Sequence, residues 1–265
     1  MPSLFTLTIP DVVVVSGAAS GLGLELCQLL AGSGVTTIGI DRDQGSPQLE
    51  GSKHYRHVQG DVSKQEVWLE AVKLVRSYKP VSIGLATCAA ILEVGDVLDT
   101  TEEHWTKAFR INVFGTVLGI QSVLPAMLEI GCGSIVTVAS VDATFAEQQL
   151  AAYCASKGAV RQLARTIALD HARHGIRVNV LSPGPMLAGL FKRHMDSAAD
   201  RDRFIATRAN RQPYGRILSV EEVATAAVFL LSSQSSAFNG AELIADGGLT
   251  TGFDFRTGEE GASIK

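Results

Sequence analysis

Residues 12–23 read VVVVSGAASGLG, a β-branched run that leads directly into a glycine-rich turn. Apolar residues three and four apart follow at about residues 22–33, so the turn joins a strand to a helix. Glycines allow tight turning and close approach to a ligand, and a helix N-terminus attracts phosphate. This context favours a pyrophosphate-binding turn of a dinucleotide site over a merely structural turn. The predicted cofactor-binding residues of the turn are Gly17, Ser20, Gly21, Leu22 and Gly23.

The same alternation of short strand patterns and longer helical patterns continues along the chain. The predicted strands are 12–16, 36–41, 57–60, 83–87, 134–140, 177–182 and 242–245. The predicted helices are about 22–33, 64–78, 102–130, 151–174 and 220–231. Repeated strand–helix units build a parallel sheet covered by helices on both faces. We therefore predict an α/β fold of one domain, 1–265, with a doubly wound seven-stranded parallel sheet of the Rossmann type.

Composition excludes several classes of protein. With 265 residues, 46% hydrophobic and 19% charged, the chain can bury one large core and is not disordered. Its net charge of -4 and the lack of long basic runs argue against nucleic acid as a partner. Apolar stretches such as 224–231 fall short of the roughly 20 residues of a membrane span. No Lys or Arg precedes Arg42, so a signal peptide is not indicated, and we expect a cytoplasmic protein without a membrane partner.

The four cysteines, Cys27, Cys88, Cys132 and Cys154, are irregularly spaced and form no C-x-x-C pair. This spacing is typical of reduced, mostly buried thiols, so we predict neither a disulfide framework nor a metal site.

Two acidic positions follow the second and third strands. Asp41 lies 18 residues after Gly23, where a carboxylate can accept ribose hydroxyls and repel a 2′-phosphate, which favours NAD over NADP. Arg42 beside it could instead pair with a 2′-phosphate, and Asp41 could also simply cap a turn. Asp61 and Val62 are predicted to contact adenine, with a helix N-cap as the alternative for Asp61.

Three residues in the second half of the chain carry the predicted chemistry. Tyr153 and Lys157 are four residues apart in a helical pattern, so their side chains share a face. A phenol is a poor base at neutral pH, and a nearby cation such as Lys157 lowers its pKa. Ser140, at the end of a strand, can hydrogen-bond a substrate oxygen while Tyr153 exchanges its proton.

Together these motifs resemble the short-chain dehydrogenase/reductase family over roughly residues 10–250. Ser140 stands 13 residues before Tyr153, as that pattern expects. The resemblance implies a catalytic group of Asn112, Ser140, Tyr153 and Lys157, in which Asn112 holds a water linked to Lys157, and Lys157 binds the nicotinamide ribose. The matching motifs are Gly17-x-x-x-Gly21-x-Gly23, Asp61, Asn112, Ser140, Tyr153-x-x-x-Lys157, Asn179, Pro183-Gly184 and Asp246-Gly247-Gly248.

The chain departs from that family pattern near the nicotinamide. Thr87-Cys88-Ala89-Ala90 stands where the family usually carries Asn-Asn-Ala-Gly, Ala188 replaces a frequent Thr, and Ser16 replaces a Thr. Cys88 cannot reproduce the hydrogen bonds of an asparagine, so reduced cofactor affinity is expected. The proton-transfer groups are intact. Further cofactor contacts are predicted at Cys88, Ala89, Ala90, Pro183, Gly184 and Met186.

The implied activity is hydride transfer between NAD and a secondary alcohol or its ketone. Polar residues in the segment 147–149 suit a sugar acid, polyol or cyclic diol, although they could equally face solvent. The alternatives are an apolar alicyclic or steroid alcohol, a 3-oxoacyl carrier-protein reductase, and a nucleotide-binding regulator without turnover. Segment 187–213 is a predicted substrate lid. The predicted substrate-binding residues are Ser140, Phe145, Gln149, Tyr153, Met186, Leu187 and Phe191.

Assembly and the C-terminal tail complete the expectations. Apolar residues on 102–130 and 151–174 are too many for one face, and the family resemblance implies a homodimer or homotetramer through these helices. They include Val113, Phe114, Val117, Leu118, Val160, Leu163 and Ile167. The tail 249–265 is hypothesised to reach a neighbouring subunit, with Arg256 available to an anionic substrate.

Overall fold

A seven-stranded, fully parallel sheet forms the centre of the computed structural model, which describes residues 7–196 and 200–252 without the side chains of Arg193 and His194. The strands are β1 (Val12–Ser16), β2 (Thr36–Asp41), β3 (Tyr55–Gln59), β4 (Ile83–Thr87), β5 (Gly133–Val138), β6 (Ile176–Pro183) and β7 (Glu242–Ala245). Their order in the sheet is β3-β2-β1-β4-β5-β6-β7. From β1 to β3 the strands are added toward one edge of the sheet, and from β4 to β7 they are added toward the other. Open α/β sheets form their ligand crevice at such a switch point, here between β1 and β4. The predicted doubly wound Rossmann-type fold is confirmed.

Helices cover both faces of the sheet. They are α1 (Gly21–Gly32), α2 (Gln65–Ser77), α3 (Glu102–Phe109), α4 (Gly115–Ile130), α5 (Ala151–His171), α6 (Gly189–Asp196), α7 (Arg201–Arg211) and α8 (Val220–Leu231). On one face, Trp68 of α2 and Met127 of α4 pack into a core that α5 completes. On the other face, Leu26 of α1 and Leu230 of α8 pack into a second core. The central strands β1, β4 and β5 are buried along their whole length, as expected of a sheet covered on both sides.

The predicted helix over 102–130 is not one regular helix. It consists of α3 and α4 joined by the π-helical turn Arg110–Phe114. A wide turn of this kind is common at functional sites and leaves no signal in apolar spacing. Of the seven apolar residues of which some are expected to meet another subunit, Val160 is fully buried within its own chain and cannot be one. Phe114, by contrast, is 58% exposed and stays available for such a contact.

The run Glu102–Ile130 is long and apolar enough to cross a membrane by length and composition alone. The core helix of a soluble protein passes the same test. Here the inward side chains Ile120, Val123 and Met127 are buried in the core beside the sheet. The run therefore belongs to the helical layer that covers the sheet. It is longer than the apolar stretches on which the expectation of no membrane span was based.

The segment 187–213 folds mainly into α6 and α7, as its charge pattern predicts. Phe191 of α6 packs against Phe204 of α7, with ring centroids 5.5 Å apart. At the start of the tail, Asp246 accepts hydrogen bonds from the N–H and the hydroxyl of Thr250 and turns the chain back toward the sheet. The rest of the hypothesised tail contact, including Arg256, lies outside the described residues.

Candidate active site

A cavity of about 1650 Å³ opens at the carboxyl ends of the strands, around the switch between β1 and β4. Pockets for ordinary small ligands measure about 300–1,000 Å³, so this one has room for a dinucleotide and a second molecule. Parallel strands bring their following loops to one edge, which is why residues far apart in sequence meet here.

The glycine turn lies in this cavity and is shaped so that larger residues do not fit. Gly17 and Gly21 have positive φ angles of 74° and 57°, which other residues rarely adopt. A Cβ on Gly23 would lie 2.2 Å from the carbonyl oxygen of Gly17. The side chain of Ser20, the N-cap of α1, makes no capping hydrogen bond. The helix N-terminus is therefore left open to an anionic ligand. All five predicted residues of the turn line the cavity: Gly17, Ser20, Gly21, Leu22 and Gly23.

Asp41 and Arg42 also line the cavity, directly after β2. The Asp41 carboxylate accepts hydrogen bonds from the N–H groups of Ala19 and Asp43, each at 3.0 Å. Each carboxylate oxygen has a second lone pair, so ribose hydroxyls can still be received. The turn-capping interpretation and the ribose interpretation are thus compatible. The Arg42 side chain is exposed, and its Nε lies 3.4 Å from a carboxylate oxygen of Asp43.

Asp61 and Val62 follow β3 and line the same part of the cavity. Asp61 accepts a hydrogen bond from the N–H of Ser63 at 2.8 Å, which forms a turn before the next helix. The alternative of a helix N-cap is wrong, because the N-cap of α2 is Lys64. Val62 is 6% exposed and presents an apolar surface at the cavity wall.

Cys88, Ala89 and Ala90 continue from β4 along the cavity. Burial raises the pKa of the Cys88 thiol to about 12, against the opposite effect of the nearby Lys157 ammonium. The thiol is therefore neutral and a weak hydrogen-bonding group. Ser16 compensates in part, since its hydroxyl accepts a hydrogen bond from the N–H of Ala89 at 3.2 Å and ties β1 to this loop.

The predicted catalytic side chains Ser140, Tyr153 and Lys157 meet at the middle of the cavity. The Lys157 ammonium lies 5.7 Å from the centroid of the Tyr153 ring and donates to the carbonyl of Val138 at 2.8 Å. The Ser140 hydroxyl donates to the Asp142 carboxylate and accepts from the Asp142 N–H, both at 3.1 Å. Ser140, just after β5, and the two α5 residues Tyr153 and Lys157 therefore face the same space.

Burial has the largest effect on the pKa values of Tyr153 and Lys157. It raises the pKa of Tyr153 well above its usual value, the Asp142 carboxylate raises it further, and a hydrogen bond with Ser140 opposes the rise. It lowers the pKa of Lys157 to about 8. The sequence predicts that Lys157 favours the phenolate; in this structure burial has the larger effect and raises the pKa of Tyr153, so that role of Lys157 stays a prediction. The ammonium is directed at the Val138 carbonyl instead.

Asn112 lies in the π-helical turn and is 1% exposed. Its side-chain oxygen accepts from the N–H of Ile91 at 2.8 Å, and its amide donates to the Ile91 carbonyl and to the Ser156 hydroxyl. Asn112 therefore links the loop after β4 to α5, where its partner Ser156 directly precedes Lys157. Its participation in a proton relay stays a prediction.

The predicted substrate residues divide between the cavity and the surface. Phe145, Gln149, Met186 and Phe191 line the cavity, as do Pro183 and Gly184. Leu187 is not among the described residues that line it, and its side chain is exposed. The cause is a short bridge between Met186 and Leu218, since successive side chains of an extended segment point to opposite sides.

Several charged residues that line the cavity were not predicted from the sequence, and two of them lie in its outer part. Asp142 lines it beside Ser140, and its position two residues after that serine was the available signal. Arg208 of α7 lies with its guanidinium 3.6 Å from the carboxylate of Glu147 and 3.4 Å from the centroid of the Phe204 ring. Nothing in the spacing of α7 pairs it with the loop that carries Glu147.

Comparisons with known proteins cover nearly the whole described region. The sequence model of a family described as enoyl-(acyl carrier protein) reductase matches residues 17–250. Galactitol 2-dehydrogenase (L-tagatose-forming) from Cereibacter sphaeroides is 35% identical over 243 residues, which are 89% of this chain and 93% of that protein. Cyclopentanol dehydrogenase from Comamonas sp. (strain NCIMB 9872) is 33% identical over 247 residues, 90% of this chain and 96% of that protein.

A solved structure is also similar to nearly the whole chain. The ligand-free aldohexose dehydrogenase from Thermoplasma acidophilum superposes with a TM-score of 0.86 at 27% identity. The superposition covers 96% of this chain and 100% of the other. The glycine turn and the Ser140, Tyr153 and Lys157 group both fall within the matched span.

Proposed function

This chain belongs to the short-chain dehydrogenase/reductase family, and we propose that it transfers a hydride between NAD and a polar secondary alcohol or its ketone. As a member of that family it is an oxidoreductase that acts on CH–OH groups with NAD(P). One observation carries the proposal. The glycine turn and the Ser140, Tyr153 and Lys157 group line a single cavity, so a nucleotide and a carbinol can meet there.

The residues present fit a nicotinamide dinucleotide. The turn at Gly17 and Gly23 has no room for an added Cβ at either position, so its backbone can approach a ligand closely. A pyrophosphate site at a helix N-terminus requires such close approach. Asp41 would receive the adenosine ribose, Asp61 and Val62 the adenine, and Lys157 with Tyr153 the second ribose. The nicotinamide would lie near residues 88–90 and the strand end at 183–186. When bound, the cofactor supplies the acceptor or donor of the hydride.

The choice of NAD over NADP rests on Asp41. Its carboxylate lines the cavity directly after β2, where a 2′-phosphate would meet negative charge. Arg42 also lines the cavity, but its guanidinium lies 3.4 Å from the Asp43 carboxylate, a competing partner for a cation that could otherwise bind a 2′-phosphate. Comparison of turnover with NAD and NADP at equal concentrations tests it.

The protein groups then move the proton. Because Tyr153 is protonated at neutral pH, it can donate directly to a ketone oxygen during reduction. Oxidation requires that Tyr153 first lose its proton, and Lys157 favours that loss only while it keeps its own charge, below a pH of about 8. Lys157 stabilises the resulting phenolate through its charge, and Ser140 binds the substrate oxygen so that it faces Tyr153.

A polar, small-molecule substrate fits the outer part of the cavity. Asp142, Glu147, Gln149 and Arg208 give that part both carboxylate and guanidinium groups, beside the ring of Phe145. The relatives named above are called dehydrogenases of galactitol, a polyol, and of cyclopentanol, a cyclic alcohol, which supports a polyol or cyclic alcohol as the substrate here. The alternatives of an apolar alicyclic or steroid alcohol and of a carrier-protein substrate are not favoured, because they would leave the charged groups of this part of the cavity without polar partners. The lid 187–213 is proposed to cover this part through α6 and α7.

The test is an activity screen. Purified protein is mixed with NAD or NADP and with polyols, cyclic diols, sugar acids and simple secondary alcohols, and reduced nicotinamide is followed by absorbance. The proposal expects turnover with NAD and at least one polyhydroxylated substrate. A protein that binds NAD but oxidises none of these substrates, and reduces none of the matching ketones, would contradict it.

We also propose a closed homo-oligomer. Phe114 and Leu169 lie on the outer side of the helices beside β4 and β5 and are 58% and 83% exposed. Side chains of this size and exposure suit a contact with a second copy of the chain. Light scattering measures the mass directly, and a monomer at all concentrations tested would exclude the assembly.

A further inference from the structure

Asp142 is a carboxylate that the proposed chemistry does not use. It lies between Val141 and Ala143, in the short helical turn after β5, and lines the cavity beside Ser140 and Tyr153. One of its oxygens accepts from the Ser140 hydroxyl at 3.1 Å. The other has no hydrogen-bond donor among the described residues.

Asp142 also forms no salt bridge with a lysine, arginine or histidine among the described residues. The Lys157 ammonium lowers the pKa of Asp142 from beyond salt-bridge distance. Arg208, which also lines the cavity, is already paired with Glu147 at 3.6 Å. A half-buried carboxylate that accepts only from a neutral hydroxyl is incompletely compensated, and such groups concentrate where a ligand completes their interactions.

The position of Asp142 limits what that ligand group can be. Under the proposed function, the reacting oxygen binds between the Ser140 and Tyr153 hydroxyls. The Asp142 carboxylate lies one hydrogen bond beyond Ser140. The oxygen on the neighbouring carbon of a 1,2-diol is about one hydrogen-bond length from the reacting oxygen, so it can reach the free oxygen of Asp142. A metal ion is not indicated, because the described residues contain no group of three metal-binding side chains.

We propose, on the basis of this geometry and of the proposed function, that Asp142 determines specificity by accepting a hydrogen bond from a second hydroxyl adjacent to the carbinol that reacts. The preferred substrate class is then a neutral 1,2-diol or polyol. A carboxylate in place of that hydroxyl is repelled by Asp142. A simple alcohol leaves the carboxylate without a donor.

The same contact affects Ser140. A hydroxyl has one proton, and Ser140 donates it to Asp142. A substrate hydroxyl that donates to the carboxylate weakens its attraction for the serine proton, so Ser140 can turn that proton toward the reacting oxygen. A second hydroxyl is therefore expected to raise kcat as well as to lower KM.

The experiment compares matched substrates that differ by one hydroxyl. The pairs are cyclohexanol with trans-1,2-cyclohexanediol and butan-2-ol with butane-2,3-diol. Values of kcat/KM are measured with saturating cofactor for the wild type, Asp142→Ala, Asp142→Asn and the control Asp170→Asn. Asp170 is an exposed carboxylate near the end of α5 and outside the cavity lining.

The wild type is expected to favour each diol by tenfold or more. Asp142→Ala should lower kcat/KM for diols by about 10- to 100-fold, the range of a hydrogen bond to a charged group, and change simple alcohols by less than about threefold. Asp142→Asn, which keeps the shape and an acceptor oxygen, should retain part of the preference. Asp170→Asn should match the wild type.

Two outcomes would overturn the inference alone: equal wild-type rates for diols and simple alcohols, or an equal loss for both in Asp142→Ala. If Asp142→Ala does not fold, the diol preference of Asp142→Asn decides, and an undiminished preference there contradicts the role of the charge. If the wild type oxidises none of these alcohols although NAD binds, the proposed function fails instead, and this separates the two.

Discussion

The two halves of the cavity are built by different means. The half at β1 to β4 is made mainly of backbone, with positive φ angles at Gly17 and Gly21 and open helical N–H groups. The half beyond Ser140 is made of side chains from separate segments, such as the pair of Glu147 and Arg208. Backbone geometry tolerates little variation, whereas side-chain walls can change without disturbing the sheet. We therefore expect the first half to determine the cofactor and the second to determine the substrate.

The largest expected effect lies where the halves meet. Tyr153→Phe removes the hydroxyl that exchanges the proton with the substrate and keeps the ring. We therefore expect kcat to fall by about 10²- to 10⁴-fold, the usual contribution of general acid–base catalysis. The Kd for NAD, measured by fluorescence titration, should change little. Substantial remaining turnover would show that another group carries the proton.

A second prediction concerns the backbone half. In Gly23→Ala the new methyl would lie 2.2 Å from the carbonyl oxygen of Gly17, so the turn must shift. Overpacking of this kind costs about 1–3 kcal/mol, and the Kd for NAD should rise by roughly tenfold or more. Gly32→Ala is the matched control, because nothing lies within 4 Å of the added methyl. Equal effects of the two substitutions would remove the special role of the turn.

Removal of the Asp41 carboxylate should change cofactor choice without loss of catalysis. In Asp41→Ala the repulsion of a 2′-phosphate is relieved, and Arg42 is left to pair with it. The ratio of kcat/KM for NAD to that for NADP should fall by about tenfold. An unchanged ratio would identify Asp41 as a turn residue only, held by the N–H groups of Ala19 and Asp43.

Changes in the side-chain half should affect the substrate and spare the cofactor. Arg208→Met removes the cation that pairs with Glu147, so KM for the substrate should rise severalfold while the Kd for NAD stays constant. Exposed ion pairs contribute only about 0–1 kcal/mol, so Tm should hardly change. Arg76→Met, which breaks a surface pair with Glu129 away from the cavity, is the control. A change in NAD affinity in Arg208→Met would contradict the division into halves.

The smallest expected effect is a pH-dependent change in stability. Burial, assisted by Glu147 and opposed by Ser140 and Lys157, raises the pKa of Asp142 to about 6. The folded state therefore binds this proton more tightly than the unfolded chain, whose carboxyl has a pKa of about 3.9. The stabilising contribution of the proton is present below about pH 4 and is lost as the pH rises through about 6.

Asp142→Asn cannot titrate, so its Tm relative to the wild type should increase between pH 4 and pH 7, by a few degrees at most. About 1 kcal/mol corresponds to roughly 2–4 °C in a chain of this size. Asp170→Asn should show no such trend. A flat difference for Asp142→Asn would mean that its carboxylate is as well solvated in the fold as in the unfolded chain.

The same division explains what the sequence could reveal. Strands β1, β2, β4 and β7 agree with the predicted bounds, because β-branched runs and glycine turns are local signals. Tyr153 and Lys157 were recognisable from helical spacing. The outward turn of Leu187, the pairing of Arg208 with Glu147 and the π-helical turn at Asn112 depend on contacts between distant segments. The protonated state of Tyr153 likewise depends on burial, which spacing does not report.

The central claim is direct hydride transfer in the shared cavity. It is tested by incubating the protein with NAD and a secondary alcohol that carries deuterium on the carbinol carbon, beginning with trans-1,2-cyclohexanediol, and analysing the nicotinamide by mass spectrometry. The account predicts one deuterium in the reduced cofactor from the wild type and almost none formed by Tyr153→Phe in the same time. Reduced cofactor without deuterium, or no reduced cofactor from any alcohol of the screen, would contradict it.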